Sequence, residues 1–214
     1  MKKIGIMGSG IVAKMLGSGL LKHGYEVKLG TRTPEKLEEW KKNEGKGAEV
    51  GTFMEAAAFG EIVILAVNGG AAKNALELAG AESLKNKTVI DTTNPIANAA
   101  PENGVLKFFT NLDESLMEQL QNAFVEINFV KAFSCVGNAF MIDPKFESTP
   151  TMFICGNSEK AKIEVSQLLE EVGWETADFG KVQSARAIEP LCILWCIPGL
   201  LKNEWMHAFK LLKL

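Results

Sequence analysis

The feature that most constrains this chain is a pair of glycines placed where a short apolar run gives way to a helical pattern. Residues 3–7 read KIGIM, Gly8, Gly10 and Ala13 follow in the spacing G-x-G-x-x-A, and Val12, Leu16, Leu20 and Leu21 then recur at helical intervals up to Gly24. Such a junction turns a strand sharply into a helix. Gly8 permits the tight turn, Gly10 lets backbone approach a bound group, and Ala13 keeps the helix near the sheet. The free N–H groups and partial positive charge at the helix start then favour an anion. A ligand-free glycine turn has the same spacing, and it is the strand-helix-strand frame around this one that points to a dinucleotide diphosphate.

That frame continues along the chain. Residues 25–29 read as a second strand, Pro34 opens the charged helix PEKLEEWKKNEG, a weak strand covers 48–51, and TFMEAAAF is a short helix. EIVILAV is an uninterrupted apolar run, as expected of a strand covered on both faces. Helix follows over 71–79, strand over 87–91, helix over 113–123 and strand over 128–133. This alternation predicts an α/β protein, a Rossmann doubly wound, mainly parallel sheet.

Beyond Ser134 the loop CVGNAFMIDPKFESTP leads to a strand, TMFICG, a charged helix over 159–172, a last strand, TADFG, and an apolar helical tail expected to kink or break at Pro190 and Pro198. We therefore expect a Rossmann domain over 1–134 and a small C-terminal α/β lobe ending in helices over 135–214. No repeat or Gly/Ser linker separates them, so the lobes should pack directly on one another.

Several classes are disfavoured. The net charge of -3 over 214 residues offers no basic stripe for nucleic acid. Cys135, Cys155, Cys192 and Cys196 form no CxxC pair, and His23 and His207 are the only histidines, so no metal site is expected. The N-terminal apolar run is broken at Gly5, Gly8 and Gly10 and reads as a strand rather than a signal peptide. The longest apolar segment, PLCILWCIPGLL, is shorter than the roughly 20 residues of a membrane span. A soluble cytoplasmic protein without a membrane partner is expected.

The end of the second strand selects among dinucleotides. An NAD enzyme usually places Asp or Glu there, to accept hydrogen bonds from the adenosine ribose. Here the strand ends Gly30-Thr31-Arg32. Arg32 suits stacking on adenine and pairing with a 2′-phosphate, Thr31 carries a hydroxyl donor, and Thr33 and Lys36 extend the same corner. This is the pattern of an NADP(H) site. Two further strand ends, Val67-Asn68-Gly69 and Thr93-Asn94-Pro95, should line the nicotinamide half, with Asn94 able to bond a ribose or carboxamide. Ser134, Gly137 and Asn138 leave a strand at the same edge and should face the cofactor or a second reactant. Asp91 reads as a capping group. No serine triad or carboxylate pair stands out and no catalytic residue is assigned, which suits hydride transfer between two redox cofactors.

In IGIMGSGIVAKML, GTRTPEK, DTTNP, VKAFSCVGNAF, FICGNSEKAK and SARAIEP the chain resembles the NADP oxidoreductases dependent on the deazaflavin coenzyme F420. It is similar also to the cytoplasmic reductase domain of the six-transmembrane epithelial antigen metalloreductases. The resemblance implies that Ser9, Gly10, Ile11 and Val12 hold the diphosphate, and that Thr31, Arg32 and Lys36 take the 2′-phosphate. Val67, Asn94, Pro95 and Gly137 would approach the nicotinamide. It further implies hydride transfer between NADPH and a deazaflavin, flavin or similar small acceptor in a cleft between lobes, within a homodimer. Phe133 and Ser134 stand where that family has a His-Thr pair, and Asn138 replaces an alanine. The metalloreductases' membrane domain lies outside this sequence, so no transmembrane electron flow to iron is expected of it. Two other readings use the same scaffold: imine or carbonyl reduction of the pyrroline-5-carboxylate reductase or β-hydroxyacid type, and noncatalytic NADPH sensing.

Overall fold

The computed structural model describes residues 2–213, so the outermost residue of each expected domain lies outside the described residues. In chain order the elements are β1 (Lys3–Met7), α1 (Ile11–Lys22), β2 (Glu26–Gly30), a 3-10 turn (Pro34–Leu37), α2 (Glu38–Lys42), β3 (Glu49–Gly51), α3 (Phe53–Phe59) and β4 (Ile62–Leu65). There follow α4 (Ala72–Ala79), α5 (Ala81–Leu84), β5 (Thr88–Asp91), α6 (Leu116–Ala123) and β6 (Asn128–Lys131). The chain then forms β7 (Thr151–Ile154), α7 (Glu159–Glu171), β8 (Glu175–Asp178), α8 (Ala185–Ile188) and α9 (Leu191–Lys202).

β1 to β6 make a six-stranded sheet in the order β3-β2-β1-β4-β5-β6, with every pair parallel. Strand side chains alternate between faces, so an uninterrupted apolar strand requires cover on both. β4 shows this directly. Ile62 and Ile64 join Ile4, Ile6 and the α1 residues Ala13, Leu16 and Leu20 on one side. Val63 and Leu65 join Ala72, Leu76, Met117 and Leu120 of α4 and α6 on the other. Each fully buried Leu or Ile contributes about 1.5–3 kcal/mol. The helices start where the sequence supplies caps: Thr52 with Glu55 before α3, and Ser115 with Glu118 before α6, form complete capping boxes. Strand order reverses between β1 and β4, and a crevice opens at their carboxyl ends.

β7 and β8 form a second, two-stranded parallel sheet joined by α7. It is attached to the main sheet through an antiparallel bridge between Lys131 and Cys155. The packing is direct, as expected without a linker. Ala161, Val165 and Leu168 of α7 enter the same apolar cluster as β1 and α1, while Ala185 and Ile188 of α8 enter the one beneath α4 and α6. Both clusters therefore run across residue 134. Polar ties cross it too: His23 Nε2 lies 2.9 Å from Asp143 Oδ1, and the Tyr25 hydroxyl donates to Glu171.

The C-terminal segment corrects two expectations. Pro190 separates α8 from α9, but Pro198 lies inside α9 without ending it. The carbonyl it leaves without an i+4 donor belongs to Leu194, on the exposed face of the helix where water can reach. Residues 203–213 form no helix. They return across β7, with Thr151 N donating to Phe209 O and Trp195 Nε1 to His207 O, both at 2.9 Å. A helical run over Val182–Lys202, 21 residues with mean hydropathy 1.3, also reaches the length and apolarity of a membrane span, which the shorter segment read from sequence did not. It carries Arg186 and Glu189, whose partners lie in α6 and β6 of the main body.

Candidate functional site

Gly8 follows β1 with φ +155°, and a Cβ there would fall 2.2 Å from the Ala66 carbonyl oxygen. The glycine is thus required by the approach of two strand ends as well as by the turn itself. Ala13 sits directly above, its methyl group 3.1 Å from where that Cβ would lie, and keeps α1 low over the sheet. Gly10 differs, because a Cβ there would meet nothing within 4 Å and would project into the open cleft. No side chain caps α1 and no acidic residue stands in its first turn. Its first N–H groups are left free, beside space that only glycine keeps open, which is what an anionic diphosphate needs. Of the neighbouring candidates, Ile11 is exposed at the helix start and Val12 packs partly into the core.

The cleft continues from Gly8, Ser9 and Gly10 to Thr31, Arg32, Thr33 and Lys36, and its opposite wall is Val67, Asn68, Ala71, Asn74 and Ala75. Phe53 and Ala66 close its floor. Arg32 and Lys36 are exposed, and neither forms an ion pair among the described residues. No carboxylate stands at the end of β2, where Gly30, Thr31 and Arg32 follow one another, so these two cations fit a 2′-phosphate. Thr31 has another task. It is buried, donates to Ser9 Oγ at 3.1 Å and accepts from Thr33 N at 3.2 Å, so it shapes the corner rather than presenting a free hydroxyl. Ala71 and Ala75, one helical turn apart, line the same cleft as Arg32 with small side chains. Asn68 accepts from Gly70 N at 3.0 Å and fixes the turn at the rim.

At the other end of the crevice the structure brings together Asn94, Pro95 and Ser134. Asn94 Nδ2 donates to Ser134 O at 2.7 Å, while Asn94 Oδ1 and Ser134 Oγ are buried without a partner among the described residues. Phe133, buried and with φ +60°, makes the left-handed turn that directs Ser134 towards Asn94. Gly137 is placed elsewhere than expected. A Cβ on it would lie 2.5 Å from the Trp195 indole, so this glycine admits α9, and Asn138 opens the short turn beside it.

Beneath this end lies a buried ionic cluster. Lys131 Nζ contacts Asp91 Oδ2 at 2.7 Å, Glu189 Oε1 at 2.9 Å and Thr93 O at 2.8 Å, with no exposure of the lysine side chain. Desolvation opposes its charge, but the two carboxylates outweigh it and hold the ammonium well above the usual lysine range. Asp91 Oδ1 also accepts from Thr93 N and Thr93 Oγ1, so the capping role read from sequence is present, together with an ion pair that was not anticipated. Glu189 and Asn74 were missed altogether. Glu189 lies in an apolar tail, 58 positions (189 − 131) along the chain from its partner, and Asn74 joins the cleft only once α4 is folded against Arg32. Burial pushes the Cys135 and Cys155 thiols up to about 12, leaving neither as a nucleophile near neutral pH. Among the described residues no three metal-ligating side chains cluster.

Sheet order, the glycine mouth of α1 and the two cations after β2 define a Rossmann-type dinucleotide-binding protein. Residues 3–95 match the family of NADP oxidoreductases described as coenzyme F420-dependent. The chain is 29% identical over 176 residues to the F420-dependent NADP reductase of Methanocaldococcus jannaschii, covering 78% of each. It is 30% identical over 207 residues to the rat metalloreductase STEAP3, covering 93% of this chain and 39% of that protein. Thus it spans well under half the length of the metalloreductase relatives it matches. A crystal structure assigned as an F420-dependent NADP reductase from Arthrobacter sp. FB24 superposes with a TM-score of 0.92 over all of both chains at 29% identity. Over these stretches the chain is similar to the NADP-dependent oxidoreductases described as F420-dependent.

Proposed function

We propose that this protein transfers hydride between NADPH and a deazaflavin, flavin or similar small acceptor. The observation that carries the cofactor half is the pair Arg32 and Lys36, without an ion-pair partner among the described residues, beside an uncapped helix mouth and a β2 end that bears no carboxylate. Bound NADPH supplies a hydride at its nicotinamide ring. The N–H groups of the α1 start would hold the diphosphate, Arg32 and Lys36 the 2′-phosphate, and Arg32 with Ala71 and Ala75 the adenine. Asn94, Pro95 and Ser134 would line the nicotinamide side.

The acceptor half rests on proton chemistry. Lys131 is fully buried, bonded to the Thr93 carbonyl and ion-paired with Asp91 and Glu189, so none of the three is exposed to the crevice as a general acid. A fused ring that takes hydride at its central ring, at carbon in a deazaflavin or nitrogen in a flavin, and draws its proton from water needs none. Imine or carbonyl reduction would need a proton donor beside the nicotinamide, and an aliphatic hydroxyl such as that of Ser134 is a poor acid for it. We place the protein in the cytoplasm as a homodimer, with the exposed Leu194 and Leu201 of α9 in the interface, and we read 1–134 as the NADP(H) domain and 135–214 as the acceptor and dimerisation lobe.

Stopped-flow oxidation of NADPH against deazaflavin and flavin acceptors tests the reading. Rapid oxidation by one of them is expected, and NADPH binding without turnover by any would favour a sensor. Arg32→Ala should weaken NADPH binding by about 1.5–3 kcal/mol and barely alter NADH binding. Equal losses for both nucleotides would remove the 2′-phosphate assignment.

A further inference from the structure

We propose that Lys131 is a positioning residue for the nicotinamide half of the cleft: from within the core it fixes Thr93 and thereby aims the side chain of Asn94. The proposal rests on the reading of the cleft as an NADP(H) site.

Lys131 donates to the carbonyl of Thr93 at 2.8 Å, and its ammonium lies in ion-pair contact with Asp91 Oδ2 at 2.7 Å and Glu189 Oε1 at 2.9 Å. Asp91 holds Thr93 a second time, accepting its N–H at 2.9 Å and its hydroxyl at 2.7 Å. One buried ion pair therefore grips Thr93 at three atoms. The next residue, Asn94, has its amide nitrogen committed to Ser134 O, so its rotation is fixed and its Oδ1 is left buried without a donor. An unsatisfied buried acceptor is costly, and it persists where a ligand supplies the missing donor. At the carboxyl end of β5 that donor would be the carboxamide N–H or a ribose hydroxyl of the nicotinamide riboside.

The cluster is an expensive way to hold a core together. Two carboxylates against one ammonium leave a net negative charge, which Glu189 offsets by accepting from Leu116 N and Met117 N, both at 3.0 Å, at the start of α6. Buried ion pairs are often matched in stability by apolar residues of similar volume. What apolar residues could not do is hold the Thr93 carbonyl, the Thr93 N–H and the α6 start in one geometry. The C-terminal segment thus reaches the nicotinamide end through Glu189 without entering the cleft.

The test compares two probes, NADPH and its fragment 2′,5′-ADP, by calorimetric titration. Lys131→Met alone leaves two buried carboxylates unpaired and is liable to unfold, so the main variant is Asp91→Asn/Lys131→Met/Glu189→Gln. Its 2′,5′-ADP affinity should stay within about twofold of the parent, while NADPH affinity falls about tenfold. Asn94→Ala in the parent should give the same selective loss, and adding it to the triple variant should cost nothing further. Equal loss of both probes, an unchanged NADPH affinity, or additive losses from Asn94→Ala and the triple variant would each overturn the positioning role. A parent protein that binds neither probe would instead overturn the cofactor reading on which it rests.

Discussion

Gly8 and Ala66 approach so closely that a methyl group on the glycine would lie 2.2 Å from the alanine carbonyl oxygen. The contact joins the ends of β1 and β4, the two strands between which the sheet order reverses. Because the obstacle is backbone, it cannot move aside as a side chain would. Gly8→Ala should cost about 1–3 kcal/mol through overpacking and a similar amount through the backbone angle. A thermal melt should show a clear drop in Tm, and an unchanged melt would mean that the two strand ends can separate.

Gly10→Ala should behave in the opposite sense. Its Cβ would enter open space in front of α1, so the fold should lose no more than about 1 kcal/mol, the difference between glycine and alanine at a helix N-cap. NADPH binding should nevertheless weaken about tenfold or more, because the added methyl occupies the approach to the free N–H groups. Fluorescence titration with NADPH, run beside the melt, separates the two effects. Retained affinity would show that the diphosphate lies elsewhere.

That Gly8, Ser9, Gly10, Thr31, Arg32 and Lys36 line one cleft was legible because the signals for it are local. G-x-G-x-x-A, the strand ending at Gly30 and the cations at Arg32 and Lys36 lie within the first part of the chain, and strand periodicity brought Val67 and Asn94 to the same edge. What escaped was long-range. Glu189 carries no local mark of its pairing with Lys131, and Gly137 was assigned to the ligand because nothing in its neighbours announces Trp195. The Thr31 hydroxyl looked available because Ser9, its partner, is 22 residues away in sequence. Pro198 shows the converse case: a strong local signal for a kink or break, of which the break does not occur where the carbonyl left without its i+4 donor belongs to an exposed residue.

Asn74 offers a test of the base slot. Its side chain lines the cleft across from Arg32 and makes no hydrogen bond among those of the described residues, and a carboxamide matches the amino group and ring nitrogen of adenine as a paired donor and acceptor. NADPH should therefore bind about fivefold more tightly than its hypoxanthine analogue, in which a carbonyl replaces the amino group. Asn74→Leu should abolish the difference while leaving the Arg32 dependence intact. Equal affinities in the parent would remove Asn74 from base recognition.

Glu118 links acid stability to the attachment of the C-terminal segment. Arg186 donates to both of its oxygens, at 2.6 Å from Nη2 and 2.9 Å from Nε at the shortest, and the same carboxylate closes the capping box of α6. The bonds from Arg186, foremost, and then those from Ser115 hold its pKa below the ordinary carboxylate value, against an opposing effect of burial. A depressed folded-state pKa means stabilisation that is full above the unfolded value of about 4.3 and is lost as pH falls through the folded one. Glu118→Gln should thus cost about 1.5–3 kcal/mol near pH 7, and the gap from the parent should narrow in melts taken progressively below pH 4. A gap that stays constant across that range would show that the ionised carboxylate is not what holds α8 to α6.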